Sequence, residues 1–311
     1  MRVELKKILI IVIFFYLNLA LAEGIDPLSD LYQRTYHISI KDNYLFASST
    51  AGLTIYRVDK RDAIQISSLV IENSGTSSII EGNYLYLFAG NSGVYKIDIK
   101  NPRSPVILKN IRLPGSAING DIYKNNIIVS LGSAGFSILK KDTLEPVKYV
   151  ETASYCSSVR VLDSNLFVST ENDGLFVYRL HNSNLKLENK IPLARRVRDI
   201  IKMDNMIFLA DDTDGIITLR SDKNGFTRHR YKTSDTARGV AVYKDYLFVA
   251  DGNTGLLIFK ITPDGLLKHI KDFNTGYSAN KVIIKDDLLI ISNDAMGVMI
   301  LKVDEIAPSI R

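Results

Sequence analysis

The chain returns to one phrase seven times, and that repetition limits its fold more than any other feature. The phrase is an apolar strand, a short polar turn, a glycine and a second apolar strand. It reads NYLFASSTAGLTIYRV in the first copy, NYLYLFAGNSGVYKIDI in the second and DYLFVADGNTGLLIFKI in the sixth. The glycines are Gly52, Gly93, Gly135, Gly174, Gly215, Gly255 and Gly297, at successive spacings of 41, 42, 39, 41, 40 and 42 residues. A fixed period of about 20–50 residues marks a stacked array, in which each unit buries its apolar faces only against its neighbours.

The sixth unit shows what is being stacked. Ala237–Tyr243 and Tyr246–Asp251 read as two strands, and Asn253-Thr254-Gly255 as a tight turn whose glycine supplies a positive φ. Leu256–Ile261 is a third strand, Pro263-Asp264-Gly265 a second turn, and Leu266–Phe273 a fourth strand with polar residues interleaved. Four antiparallel strands in about 41 residues make a propeller blade. The expected fold is therefore all-β, a seven-bladed β-propeller of four-stranded blades. No helix longer than a turn is expected. The seventh unit runs out after its third strand, at the proline-broken Glu305–Arg311. Part of Gly24–Thr35 is expected to supply its outer strand, clasping the ring and covering a sheet edge.

A length of 311 residues would by itself suggest two domains. The repeat replaces that with a leader, residues 1–22, and one propeller, residues 23–311. Arg2, Lys6 and Lys7 precede the apolar run Ile8–Ala22, which ends in Ala20-Leu21-Ala22. This is the pattern of a cleaved signal peptide, and a 15-residue run falls short of the roughly 20 a membrane span needs. An uncleaved anchor is the alternative. The expected location is exported: periplasmic, secreted or on the cell surface. The single cysteine, Cys156, allows no internal disulfide and reads as a small half-buried residue.

The second unit, GVYKIDIKNPRSPVILKNIRLPG, carries a sharper signature. Asp98, Ile99, Asn101, Pro102 and Pro105 resemble the D-I-x-N-P-x-x-P turn of the LVIVD-repeat family, and the sixth unit is similar to the other half of that family's pattern. Units four to seven depart from the turn, with Arg179, Leu219, Lys260 and Lys302 in or near it. The resemblance implies an exported or cell-surface β-propeller of prokaryotes. It implies no particular activity.

Propellers bind on the face that carries the turns between second and third strands and the loops from fourth to first strands, or in the central channel; this is an argument from fold analogy. Two groups of charge fall there. The acidic turns, with Glu171, Asp173, Asp211, Asp212, Asp214 and Asp251, lack the long regular loop of a calcium site and read as backbone-shaping residues. The basic group is more suggestive. Arg195, Arg196 and Arg198 precede or begin the first strand of unit five, and Arg238 aligns with Arg198 in unit six. First strands lie nearest the axis, so Arg198 and Arg238 are expected on adjacent blades at the channel mouth. Asp199 and Asp235 are expected to pair with them, and the group forms a candidate anion or partner site. His229 and His269, each 14 residues after its repeat glycine, fall on outer strands too far apart to share a metal.

No metal, cofactor or catalytic constellation is expected from the sequence. The net charge of +5, with basic residues dispersed, argues against nucleic acid. The reading is an exported binding module for a protein, peptide or glycan, touching membrane only through an uncleaved anchor. The alternatives are a propeller enzyme (lyase, hydrolase or cofactor-dependent dehydrogenase) and a structural envelope component. Arg, Asp and His gathered in one concave pocket would favour the enzyme; a featureless channel would not. The charged first-strand residues are Arg160, Arg198, Asp199, Arg238 and Lys281.

Overall fold

The computed structural model describes residues 34–307, except Leu193 and residues 223 and 224. The leader at 1–22 and most of the Gly24–Thr35 clasp lie outside the described residues. Within them lie twenty-seven strands, β1–β27 in chain order, ending in one helical turn, α1 (Val303–Ile306). Six units form four-stranded antiparallel sheets in sequence order, and the seventh contributes the three strands β25 (Lys281–Lys285), β26 (Leu288–Ser292) and β27 (Val298–Lys302). None of the described helices is long and apolar enough to cross a membrane.

The first strands of the seven sheets form the inner wall: β1 (Thr35–Lys41), β5 (Ser77–Glu81), β9 (Gly120–Tyr123), β13 (Cys156–Leu162), β17 (Val197–Met203), β21 (Ala237–Tyr243) and β25. Each packs on the next, and β25 packs on β1, so the ring closes. This is a seven-bladed β-propeller. The cause is the sequence pattern. Second and third strands such as Tyr246–Asp251 are buried along almost their whole length, because a neighbouring blade covers each face. The core is accordingly a set of inter-blade clusters. Phe208, Val249 and Phe259 lie in one between blades five and six, and Ile38, Leu45 and Ile290 in one between blades seven and one. Fourth strands such as Val106–Ile111 are mostly exposed at the rim.

Every repeat glycine has positive φ, from 75° at Gly297 to 115° at Gly52. At Gly93 a Cβ would stand 1.9 Å from the Ile111 carbonyl oxygen. That position demands glycine for space as well as for conformation.

Ring closure, as far as the described residues show it, rests on β1. The Thr35 amide donates to the Asp294 carbonyl at 3.1 Å, and Asn280 Nδ2 donates to the Thr35 carbonyl at 2.9 Å. Arg61 of blade one pairs with Glu305 of α1.

Candidate functional site

The ring encloses a cavity of about 820 Å³, lined by residues of all seven first strands and the loops that lead into them. Its mouth is built by a repeated defect. In β1, β13, β17 and β21 the pairing with the second strand slips by one residue near the strand start. The extra residues are Tyr36, Ser157, Arg198 and Arg238, and all four line the cavity. A β-bulge leaves its extra residue out of the ladder and re-aims the side chain. Thr76, Ile118 and Asn280 hold the corresponding places in the other three blades. The mouth thus carries one side chain per blade at this place, basic in Arg198 and Arg238, polar in Thr76, Ser157 and Asn280, aromatic in Tyr36 and aliphatic in Ile118.

On the basic arc, Arg198 Nη2 lies 2.7 Å from Asp212 Oδ2, and Arg196 Nε reaches the same oxygen at 3.2 Å and Glu171 Oε1 at 3.3 Å. Arg238 differs. Its Nε donates to Thr236 Oγ1 at 2.9 Å, and its Nη1 donates to Ser278 Oγ at 2.9 Å and Asn280 Oδ1 at 2.7 Å. All three acceptors are neutral. Tyr36 and Tyr155, 36% and 39% exposed, stand on the same mouth.

Deeper in the channel the charges are spent on one another. Asp199 Oδ2 accepts from Lys281 Nζ at 2.5 Å and from the Val240 amide at 2.9 Å, with the side chains only 9% and 14% exposed. Lys281 of blade seven reaches Asp199 of blade five across Gly239 of blade six. There a Cβ would come within 2.9 Å of the Lys281 Cα. Burial alone would raise the Asp199 carboxyl, but Lys281 and Arg160 outweigh it and hold its pKa below the ordinary range. Burial lowers the Lys281 ammonium, against the attraction of Asp199. Arg160 Nε lies 3.6 Å from Asp121 Oδ2. His37 is held far below the ordinary imidazole value, at about 3, first by burial and then by the positive charge of Lys281.

A second regularity ties the inner strands together. His37 Nδ1, Asn119 Oδ1 and Asp199 Oδ2 each accept from a backbone amide of the next blade, at Ser78, Val159 and Val240. The three acceptors occupy equivalent places in blades one, three and five.

The structure brings four of the six predicted residues, Arg196, Arg198, Asp199 and Arg238, into the cavity wall; Arg195 and Asp235 do not line it. The expected ion pairs form differently. Arg198, as a bulge residue, turns to the Asp212 turn of its own blade, whereas Asp199 rejoins the ladder and faces blades six and seven. Asp235 gives its carboxylate to the turn backbone, accepting from the Asn253 amide at 2.7 Å. Sequence reasoning missed the channel roles of His37, Asn119 and Asp121. Their positions in the repeat, in register with Asp199 or two residues beyond it, were the available signal. His229 and His269 do fall on outer strands, β20 (Gly225–Tyr231) and β24 (Leu267–Phe273). No cluster of three metal-ligating side chains occurs among the described residues.

The pattern of the LVIVD repeat matches residues 76–112 and 235–261. This chain carries LVIVD repeats. The fold supplies the physical reason for the motif. Asp98 Oδ1 accepts from the Lys100 amide at 2.8 Å, and Asn101 Oδ1 from the Arg103 amide at 3.2 Å, which shapes the turn between third and fourth strands. The Pro102 carbonyl accepts from Ser67 Oγ of blade one at 2.6 Å, so the turn also docks the neighbouring blade. No curated protein matches the sequence.

Solved structures match the fold. The chain is similar to BamB from Moraxella catarrhalis at 14% identity and a TM-score of 0.57, covering 86% of this chain and 82% of that one. It is similar to the β-propeller domain of Cps50 (Swd1) from Myceliophteria thermophila at 11% identity and 0.69, covering 86% and 95%. It also matches a chain of a mitotic checkpoint complex at 10% identity and 0.70, covering 84% and 86%. At such identities the likeness is one of fold.

Proposed function

We propose that this propeller is an exported interaction module that binds a peptide segment of a protein partner at the channel mouth. The observation that carries the reading is the composition of that mouth. Part-exposed Arg196, Arg198, Arg238, Tyr36 and Tyr155 surround a wide cavity of mixed polar and aliphatic lining on a rigid ring. Arginine and tyrosine dominate the binding energy of protein interfaces, because each offers a large contact area together with directed hydrogen bonds. A propeller of like fold belongs to the mitotic checkpoint complex, a protein assembly. Export is supported by the leader-like residues 1–22.

The charged ring inside the channel favours a second reading, an enzyme, since it gathers His37, Asp199, Lys281 and Arg160 in one concavity. It ranks behind binding because Lys281 and Asp199 neutralise each other and His37 gives its Nδ1 to the Ser78 amide.

Affinity capture from an envelope extract, using the chain from Glu23 and its Tyr155→Ala/Arg198→Gln variant side by side, tests the first reading. A partner retained by the parent and lost by the variant is expected. Equal capture by both would remove the mouth from the interface, and turnover in a substrate screen that is lost in Asp199→Asn would reverse the order. N-terminal sequencing of the secreted or periplasmic protein should begin at Glu23.

A further inference from the structure

We propose that the partner segment presents a carboxylate to the channel mouth and that Arg238 is the residue that reads it. This rests on the peptide-binding reading of the mouth and names the chemistry it recognises. Of the five basic side chains in the cavity wall, four already face a carboxylate: Arg196 and Arg198 face Asp212, Lys281 faces Asp199 and Arg160 faces Asp121. Arg238 has only neutral acceptors in Thr236, Ser278 and Asn280, and among the described residues it pairs with no acidic side chain.

Those three bonds use Nε and both protons of Nη1, which fixes the plane of the guanidinium and leaves the two N–H donors of Nη2 for a ligand. A guanidinium held in place in advance loses little freedom on binding, and an N–H of its free Nη2 can make a charge-assisted hydrogen bond to a carboxylate oxygen. One uncommitted cation matches one negative charge. A phosphate dianion would call for a second, and the neighbouring arginines are already neutralised. The bulge in β21 explains the placement, since it lifts Arg238 out of the ladder at the rim of the cavity.

The experiment is selection of random heptapeptides on the immobilised chain from Glu23, with two display libraries. One ends in a free carboxylate, and the other is fused at its C-terminus. The parent should enrich Asp or Glu in both libraries if the partner uses a side-chain carboxylate. If it uses a chain terminus, binders should come from the free-end library alone. Arg238→Gln should lose that acidic or free-end preference at least tenfold, as should Arg238→Lys, which keeps the charge but cannot be braced by Thr236, Ser278 and Asn280 while still presenting a donor to the ligand. Arg195→Gln, outside the cavity wall, should keep it.

Binders with neither an acidic preference nor a need for the free C-terminus, displaced by the Tyr155→Ala change, would overturn the carboxylate inference and leave the peptide reading intact. An acidic preference that survives in both Arg238 variants would also overturn it. Absence of any binder sensitive to Tyr155→Ala would overturn both.

Discussion

Asp199 and Lys281 form the tightest charge pair of the channel wall, and their energetics set what each contributes. Two ions taken out of water lose several kcal/mol of hydration each, so the pair adds little net stability, but removing one partner strands the other. Asp199→Asn leaves Lys281 beside Arg160 with no carboxylate of its own, and should cost about 3–5 kcal/mol in chemical denaturation. Asp199→Asn combined with Lys281→Met should recover much of that loss. Equal stability of parent and single variant would mean that channel water already screens the pair. His37 gives a pH signature. Its folded pKa of about 3 lies below the unfolded value of about 6.5, so between the two the unfolded chain binds the extra proton. Its contribution to stability is whole above pH about 6.5 and drains away as pH falls below that. His37→Gln should make the slope of stability against pH less positive between about pH 6.5 and 5, where Asp211, raised by burial to about 6, titrates in the opposite sense; an unchanged slope there would refute it. Cys156 is buried and burial pushes its thiol up to about 12. It should stay silent to a thiol reagent in the native protein and react in full once unfolded.

At the level of elements, the repeat grammar made most of the fold legible. Apolar runs, a turn and a positive-φ glycine recur in each unit, so strand number and order followed from the sequence, as did the placing of Arg198 and Arg238 on adjacent blades. The bulges were not legible. A single unpaired residue leaves no trace in hydrophobic period, yet it decides that Arg198 and Arg238 reach the mouth while Asp199 turns to blade seven. Asp235 was misjudged for a related reason: a turn carboxylate chooses between a nearby arginine and backbone amides, and only the loop path decides. Gly239 marks the same limit. It lies outside the turn grammar, but the close packing of β21 on β25 depends on it. Gly239→Ala must push Lys281 or the strand aside, and should cost about 1–3 kcal/mol by overpacking while weakening binding at the mouth. Gly82→Ala has φ +57° but open space around its Cβ, so it should cost only the left-handed backbone penalty of about 1–2 kcal/mol. Unchanged binding at the mouth in Gly239→Ala would remove the packing argument.

For the whole molecule the question is whether the seam between blades seven and one is a joint like the others. A linear stack of repeats has end units held on one side only, whereas a closed ring has none. Two isoleucines at equivalent places make the comparison. Ile128 sits in the second strand of blade three and packs with Val159 and Leu166 of blade four. Ile290 sits in the second strand of blade seven and packs with Ile38 and Leu45 of blade one. Both are essentially fully buried. Truncating either to alanine removes three carbons from a close-packed interface, at a cost of about 2–5 kcal/mol. If the seam is packed as tightly as the joint between blades three and four, Ile128→Ala and Ile290→Ala should lose the same stability within about 1 kcal/mol, each in a single cooperative transition. A much smaller loss for Ile290→Ala, or a separate early transition in it, would show that blade seven detaches. The arc that carries Arg198, Arg238 and Asn280 would then be the weakest part of the ring.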